Sequence, residues 1–299
     1  MTIRFDKRVA IITGAGAGLG RSHALLLASL GARVLVNDPG RAPSGAMAAD
    51  ETVAQITAAG GTAIANHDSV ADPALAQRIV QQAADAWGRV DILINNAGIL
   101  RDRSFAKSEP DDFDLVLKVH LSGSAYMTRA AWDMMRTQGY GRIVMTTSNA
   151  GLYGNFGQSN YSAAKTGMIG LMNTLAIEGG KYGITVNCIA PVALTPMTRD
   201  VLPPEIAGHF DPAHVSAAVA LLASEPFTRS GVILSAAAGH YAVARIHCTA
   251  GIQLDPAATA TPDDLLERWS QIEDASDLRV FQNAGAETEA ILGAIAKLN

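Results

Sequence analysis

Tyr161 and Lys165 stand four residues apart in a stretch of helical character, 159–180, so both side chains project from one face. A phenol releases its proton near pH ~10, too high for a useful base at neutral pH. An adjacent ammonium favours phenolate and lowers that value, which is what taking a proton from an alcohol requires. Of the six tyrosines, only Tyr161 has a lysine at this spacing. Ser148 lies earlier, just past the apolar run 142–147, where a hydroxyl can hold a reacting oxygen. Taken alone, the pair reads equally well as an i,i+4 surface contact. Its meaning depends on what the chain places around it.

The run 9–13 leads into Thr13-Gly14-Ala15-Gly16-Ala17-Gly18-Leu19-Gly20, and a helical pattern begins at once. Glycine there permits a tight turn and lets the backbone approach a pyrophosphate seated at the helix N-terminus. Such a loop carries weight only between a strand and a helix, which is its setting here. Asn37-Asp38 closes the next strand, 18 residues beyond Gly20. An acidic side chain at that place accepts hydrogen bonds from the adenosine ribose and repels a 2′-phosphate. Ala17 offers no basic group, while Arg41 stands close enough to argue the other way. NAD is expected over NADP. The competing reading of Asp38 is a turn residue ahead of Pro39.

The elements that must position these residues follow from periodicity. Short apolar runs at 9–13, 33–37, 62–66, 91–95, 142–147, 185–190 and 232–234 alternate with helical stretches at 19–30, 46–59, 73–87, 113–137 and 159–180. Continuous rather than alternating apolar strands belong to a sheet covered on both faces. Strand–helix alternation at this spacing makes right-handed βαβ units, hence an α/β fold with a doubly wound parallel sheet of about seven strands. One catalytic domain is expected over 1–238, followed by a C-terminal extension, 239–299. There Thr261-Pro262-Asp263-Asp264 opens a helix, with Thr as cap, Pro in the first turn and carboxylates at the positive end of the dipole. Leu265, Leu266 and Trp269 then form an apolar stripe that needs its own body or a partner subunit to lie on.

The ordered set Thr13 to Gly20, Asn95-Asn96-Ala97-Gly98, Ser148 and Tyr161-Ser162-Ala163-Ala164-Lys165 resembles the short-chain dehydrogenase/reductase family, which implies a Rossmann-type sheet. A narrower resemblance, carried by 98–105, 154–158, 176–179 and 201–204, is to the (3R)-hydroxyacyl-CoA dehydrogenases of peroxisomal multifunctional enzymes, a 17β-hydroxysteroid dehydrogenase-like group. It runs along nearly the whole chain, with no hydratase or sterol-carrier segment, so a stand-alone dehydrogenase is expected. The resemblance implies that Tyr161 takes the proton of a secondary alcohol as hydride passes to the nicotinamide. Ser148 would hydrogen-bond the substrate oxygen, and Lys165 would bind the nicotinamide ribose and tune Tyr161. Gly14, Gly18, Leu19, Gly20 and Asp38 would hold the cofactor, with Asp68-Ser69-Val70 beside the adenine and Asn96, Ala97 and Gly98 at the end of the fourth strand.

Two departures stand out. His120, in Lys118-Val119-His120-Leu121, occupies the place where many relatives carry a relay Asn, and is read either as a variant relay or as a packed helix histidine. Pro191-Val192 replaces the usual Pro-Gly after the sixth strand, an exchange compatible with backbone contacts to the nicotinamide. Tyr153 and Phe156 are expected to line the substrate pocket. Leu194, Met197, Val201, Leu202 and Phe210 suggest an apolar lid, or ordinary core. Arg101, Arg103 and Lys107 suit either CoA phosphates or solvated surface.

The expected reaction is hydroxyl-to-ketone oxidation of a hydroxyacyl-CoA with a fatty or steroid side chain. A steroid or other apolar alcohol dehydrogenase is the main alternative, and a non-catalytic dinucleotide-binding regulator is the alternative of another class. Composition narrows the partners. The 299 residues are 48% hydrophobic with net charge −5, which excludes disorder and offers no basic patch for nucleic acid. The seven histidines show no metal-site spacing, so no metal is expected. No apolar run approaches a membrane span of ~20 residues. Cys188 and Cys248 suggest a reducing setting, and the ending Ala296-Lys297-Leu298-Asn299 departs from a peroxisomal signal at Asn299. A cytoplasmic location is therefore expected, and the family resemblance implies a homodimer or homotetramer associating through helices 113–137 and 159–180.

Overall fold

The computed structural model describes residues 3–195 and 204–296. The chain alternates β1 (Val9–Thr13), α1 (Gly18–Ser29), β2 (Arg33–Asn37), α2 (Ala48–Ala58), β3 (Thr62–Asn66), α3 (Pro73–Trp87) and β4 (Ile92–Asn95). The order continues with α4 (Pro110–Leu117), a π turn (Lys118–Ser122), α5 (Gly123–Gln138), β5 (Gly141–Thr146), α6 (Asn149–Tyr153), α7 (Ser159–Gly179) and β6 (Ile184–Val192). Then come α8 (Pro204–Ala207), α9 (Pro212–Ala223), β7 (Ile233–Ala237) and β8 (His240–Ala244). These strands form one sheet in the order β3-β2-β1-β4-β5-β6-β7-β8. Every pairing from β3 to β7 is parallel. The order reverses between β1 and β4, and at such a switch point the strand ends leave a crevice for a ligand.

Every residue of β1 is buried. Alternation sends Ala10 and Ile12 to the face where Leu27 of α1 and Val215, Val219 and Leu222 of α9 pack, and Ile11 to the other. Full burial of each Ile or Leu stabilises by about 1.5–3 kcal/mol, so the sheet is held from both sides. Local signals set the helix ends. Asp72 caps α3 by accepting from the N–H groups of Ala74 and Leu75, Pro73 opens its first turn, and Gly88 ends it in the left-handed region.

Two features differ from expectation. The helix expected over 113–137 is interrupted at 118–122, where a π turn inserts one extra residue per turn and re-aims His120 inward. The sheet has eight strands rather than seven, because Ala238 and Gly239 both take positive φ and form a two-residue turn into β8. Tyr241-Ala242-Val243-Ala244 of β8 is apolar but mostly exposed, an edge strand beyond the last run expected, 232–234.

The chain divides into compact units at 1–243 and 244–299. The second holds a two-stranded sheet of β9 (Cys248–Thr249) and β10 (Leu278–Arg279), with α10 (Pro262–Glu267), α11 (Trp269–Ile272) and α12 (Ala284–Ile295). Thr261 and Asp264 form the capping box of α10, and Leu265, Leu266 and Trp269 are exposed. None of the described residues in this unit is fully buried.

Candidate active site

The ends of β1 and β4 are clamped together. Thr13 Oγ1 accepts the N–H groups of Asn96 and Ala97, each at 3.0 Å, and Asn96 Nδ2 donates to the carbonyls of Thr13 and Gly14, each at 3.0 Å. Asn96, expected to reach the cofactor, thus spends its amide N–H groups on the glycine loop. Inside that clamp a Cβ on Gly20 would lie 2.2 Å from the Gly14 carbonyl oxygen, so glycine alone fits. Helix α1 begins with no side-chain cap and no acidic residue in its first turn. Its first N–H groups and positive dipole end, at Gly18, Leu19 and Gly20, remain for an anion. The cradle therefore suits a dinucleotide pyrophosphate.

Asp38 sits at the end of β2 beside this loop, accepting from Gly16 N at 2.9 Å and Gly40 N at 2.8 Å. Each carboxylate oxygen keeps a further lone pair for a ribose hydroxyl. Arg41 turns away and donates to the Gly45 carbonyl at 2.8 Å. At the end of β3, Asp68 is ion-paired to Arg78 at 2.6 Å, and its carbonyl accepts from Asn37 Nδ2 at 2.8 Å. Ser69 Oγ accepts from Ala71 N, and Val70 is buried. Pro191 and Val192 finish β6 in register with Ala236 and Ala237, so the Val for Gly exchange leaves extended backbone there. A wide depression of about 840 Å³ between β3 and α3 shares only Asp68 with this row.

Ser148 follows β5, where its Oγ accepts from Ala150 N at 3.1 Å and caps α6. Tyr161 and Lys165 lie one turn apart on α7, and the buried Lys165 Nζ donates to the Thr146 carbonyl and sits 5.4 Å from the centre of the Tyr161 ring. Burial drives Lys165 down to about 7. The expected acidified phenol is not what results. Burial raises Tyr161 above its ordinary value, the Ser148 hydroxyl pulls it down, and the Asp102 carboxylate pushes it up. Spacing placed the amine correctly, but desolvation of the buried phenol decides the direction of its shift, and desolvation lowers the amine as well.

His120 is buried, its ring edge-on to Tyr161 with centres 5.2 Å apart and planes at 89°. Its Nε2 lies 3.0 Å from Ile99 N and 2.8 Å from Ile99 O, and its buried Nδ1 has no partner. Burial first, then the Lys165 charge, push it down to about 3, so it is neutral at working pH. A Cβ on Gly98 would fall 2.2 Å from His120 Cε1, which is why glycine stands at 98.

Expected pocket residues fare differently. Tyr153 and Phe156, expected at the substrate pocket, are 79% and 90% exposed, at and just beyond the end of the five-residue α6. Leu194 N donates to Phe210 O at 2.7 Å, while Met197, Val201 and Leu202 lie outside the described residues. Sequence reasoning named Thr13 only as the start of the glycine loop and missed its clamp on Asn96 and Ala97. It also missed Asn160, whose Oδ1 accepts from Tyr161 N at 2.7 Å and which no spacing marks. Among the described residues, no helix is long and apolar enough to cross a membrane.

Comparison with known proteins fits this geometry. The short chain dehydrogenase family model matches residues 8–205. The chain is 44% identical over 299 residues to the peroxisomal multifunctional enzyme A of Dictyostelium discoideum, covering 99% of this chain and 66% of that protein. It is 45% identical to a Mycobacterium tuberculosis protein named as a short-chain type dehydrogenase/reductase, covering 91% of this chain and 96% of the relative. The full-length peroxisomal multifunctional enzyme type 2 of Drosophila melanogaster superposes with a TM-score of 0.86 at 38% identity, over 99% of this chain and 51% of that one. A 7α-hydroxysteroid dehydrogenase complexed with NADH and 7-oxo glycochenodeoxycholic acid superposes with a TM-score of 0.73 at 30% identity, over 79% of this chain and 95% of that one. The chain thus spans about two thirds or less of the multifunctional relatives it matches.

These names overturn the cytoplasmic expectation, since the multifunctional relatives are named as peroxisomal. Two free cysteines carry no information about which compartment holds the chain. The chain belongs to the short-chain dehydrogenase family, oxidoreductases that work with a nicotinamide dinucleotide.

Proposed function

We propose that the chain oxidises the 3-hydroxyl of a 3-hydroxyacyl-CoA, its acyl group a fatty or steroid side chain, with NAD as cofactor. The observation that carries this reading is Ser148 and Tyr161 together at the carboxyl end of β5, above the buried Lys165 and beside a glycine cradle guarded by Asp38. The names of the multifunctional relatives support the substrate class. Asp38 supports NAD, because its charge disfavours a 2′-phosphate.

When bound, the oxidised nicotinamide supplies the hydride acceptor. The rest is done by the chain. Gly14, Gly18, Leu19, Gly20 and the backbone of 96–98 hold the dinucleotide, with 68–70 beside the adenine and 191–192 at the nicotinamide end. Ser148 Oγ turns its hydrogen to the substrate oxygen as that oxygen becomes a carbonyl. The Tyr161 oxygen receives the alcohol proton, having first lost its own, a loss favoured by Ser148 and by Lys165 in its charged form. His120 extends this path: its buried Nδ1, which has no partner beside the Tyr161 ring, is the group left to carry the proton inward. His120→Asn is expected to lower kcat about tenfold and to change its pH dependence. An unchanged rate and profile would leave His120 a packing residue.

A panel of 3-hydroxyacyl-CoA thioesters and hydroxysteroids, each assayed with NAD and NADP, tests the substrate. Turnover of thioesters is expected, with kcat/KM about tenfold or more higher for NAD. Activity on free steroids but not on thioesters overturns the acyl-CoA reading, and cofactor binding without turnover favours a regulator. The proposal includes a homodimer or homotetramer, supported by exposed Ile177 on α7 and by Leu266 and Trp269. Sedimentation as a monomer at micromolar concentration would remove it.

A further inference from the structure

We infer that Thr52 is a positioning residue for the choice of cofactor. Its buried hydroxyl holds the peptide bond between Ala15 and Gly16 so that the N–H of that peptide faces Asp38. It thereby sets the preference for a dinucleotide with a free ribose 2′-hydroxyl over one with a 2′-phosphate. The inference rests on the proposed use of NAD and assigns a role to a side chain outside the glycine loop.

Asp38 receives two backbone donors, Gly16 N at Oδ2 and Gly40 N at Oδ1, at 2.9 and 2.8 Å. Both are tied to α2. Thr52, in the second turn of that helix and fully buried, has its Oγ1 3.1 Å from the Ala15 carbonyl oxygen. Ala48 N, at the start of the same helix, donates to the Gly40 carbonyl at 3.0 Å. The Ala15 carbonyl and the Gly16 N–H belong to one planar peptide group. That plane is held at both ends, its oxygen by a hydroxyl and its hydrogen by a carboxylate. Ala15 N donates to the Asn37 carbonyl at 2.9 Å, which fixes the preceding peptide to β2.

Thr52 has one proton to give. The carbonyls of Ala48 and Gly16 lie farther from its Oγ1, at 3.4 and 3.5 Å. A helical threonine often bonds to the carbonyl four residues back, and here the shorter contact is to the loop instead. Glycine is required at 16, where a Cβ would fall 2.5 Å from Ala48 Cβ and 2.8 Å from Asp38 Oδ2. Glycine also leaves that peptide free to turn over, since no side chain opposes the new φ. Without the Thr52 hydroxyl, such a flip would aim the carbonyl oxygen at the Asp38 carboxylate and withdraw the N–H that orients it. The carboxylate would then leave the place from which it bonds a ribose hydroxyl and repels a 2′-phosphate.

The test titrates NADH and NADPH into the full-length protein by the fluorescence of the bound nicotinamide, which needs neither substrate nor turnover. Thr52→Val keeps the shape and removes the hydroxyl. In that variant the NADPH-to-NADH ratio of Kd values is expected to fall about fivefold, the scale of one hydrogen bond to a charged group. Thr52→Ser, which restores the hydroxyl, is expected to keep the wild-type ratio. Adding Thr52→Val to Asp38→Asn is expected to change the ratio no further, because the two act through one contact. If Thr52→Val fails to fold, Thr52→Cys, a weak donor at the same place, is read with the same outcomes. Arg41, the cation of the Asp38 loop, is present in every variant and cancels from the comparison. An unchanged ratio in Thr52→Val, an equal fall in Thr52→Ser, or a further fall in the Asp38→Asn background overturns the inference. A wild type without preference for NADH would instead overturn the NAD reading. Thr52 would then be judged on NADH affinity alone, where equal Kd values in wild type and Thr52→Val overturn its role as well.

Discussion

Tyr161→Phe is expected to lower kcat about a thousandfold while leaving the fold and the affinity for NAD intact. The substitution removes one oxygen. The ring keeps its edge contact with His120 and its place above Lys165, so packing changes little. What disappears is the only group on α7 placed to receive the alcohol proton beside Ser148, and positioned proton transfer is worth about 10²- to 10⁴-fold. Single-turnover absorbance and a cofactor titration separate loss of chemistry from loss of binding. Wild-type pH dependence supplies the sign. Tyr161 sits above its ordinary value, so oxidation, which needs phenolate, should quicken as pH rises through neutrality into the alkaline range. Ketone reduction, which needs phenol, should not slow until that range is reached. A variant retaining a tenth of wild-type kcat would show that Tyr161 is not the proton acceptor.

At the opposite end of β4, Asp91→Asn is expected to destabilise the chain by about 3 kcal/mol without altering the chemistry of the folded fraction. Asp91 is fully buried, yet its carboxylate accepts from Arg8 at 3.0 Å, from Arg89 at 2.7 and 2.6 Å and from Val9 N at 2.9 Å. Arg8 in turn bonds Glu225 at 2.8 Å and stacks 3.7 Å from the centre of the Tyr140 ring. Removing one partner of a buried ion pair leaves the other uncompensated, at a cost of ~3–5 kcal/mol. The lower end applies because Arg8 and Arg89 keep 22% and 38% of their side-chain surface in water. Urea unfolding measures it, and a loss below about 1 kcal/mol would mean that solvent already carries the load.

What could be read from the residue string was whatever depends on chain-local periodicity. β1 and β4 are apolar along most of their length, and β5 is apolar at Ile143–Met145, because both faces are covered, and that pattern is visible without coordinates. The glycine loop and the Tyr161–Lys165 spacing were legible for the same reason, since a turn and an i,i+4 pair are short-range facts. What failed depends on partners far along the chain. The π turn at 118–122 places the His120 ring between Tyr161 and Gly98, a contact no window of residues contains. Burial of Tyr161, which raises the phenol instead of lowering it, is likewise a tertiary quantity.

The central claim is that a secondary alcohol at C3 of an acyl thioester gives its hydride to a dinucleotide held on the glycine cradle. Incubating the protein with NAD and a (3R)-hydroxyacyl-CoA deuterated at C3, then weighing the reduced cofactor by mass spectrometry, tests this directly. One deuterium per reduced cofactor, with the matching 3-ketoacyl-CoA, is the result expected. Reduced cofactor without the label, or no reduced cofactor while a deuterated steroid alcohol delivers its label, would contradict the account.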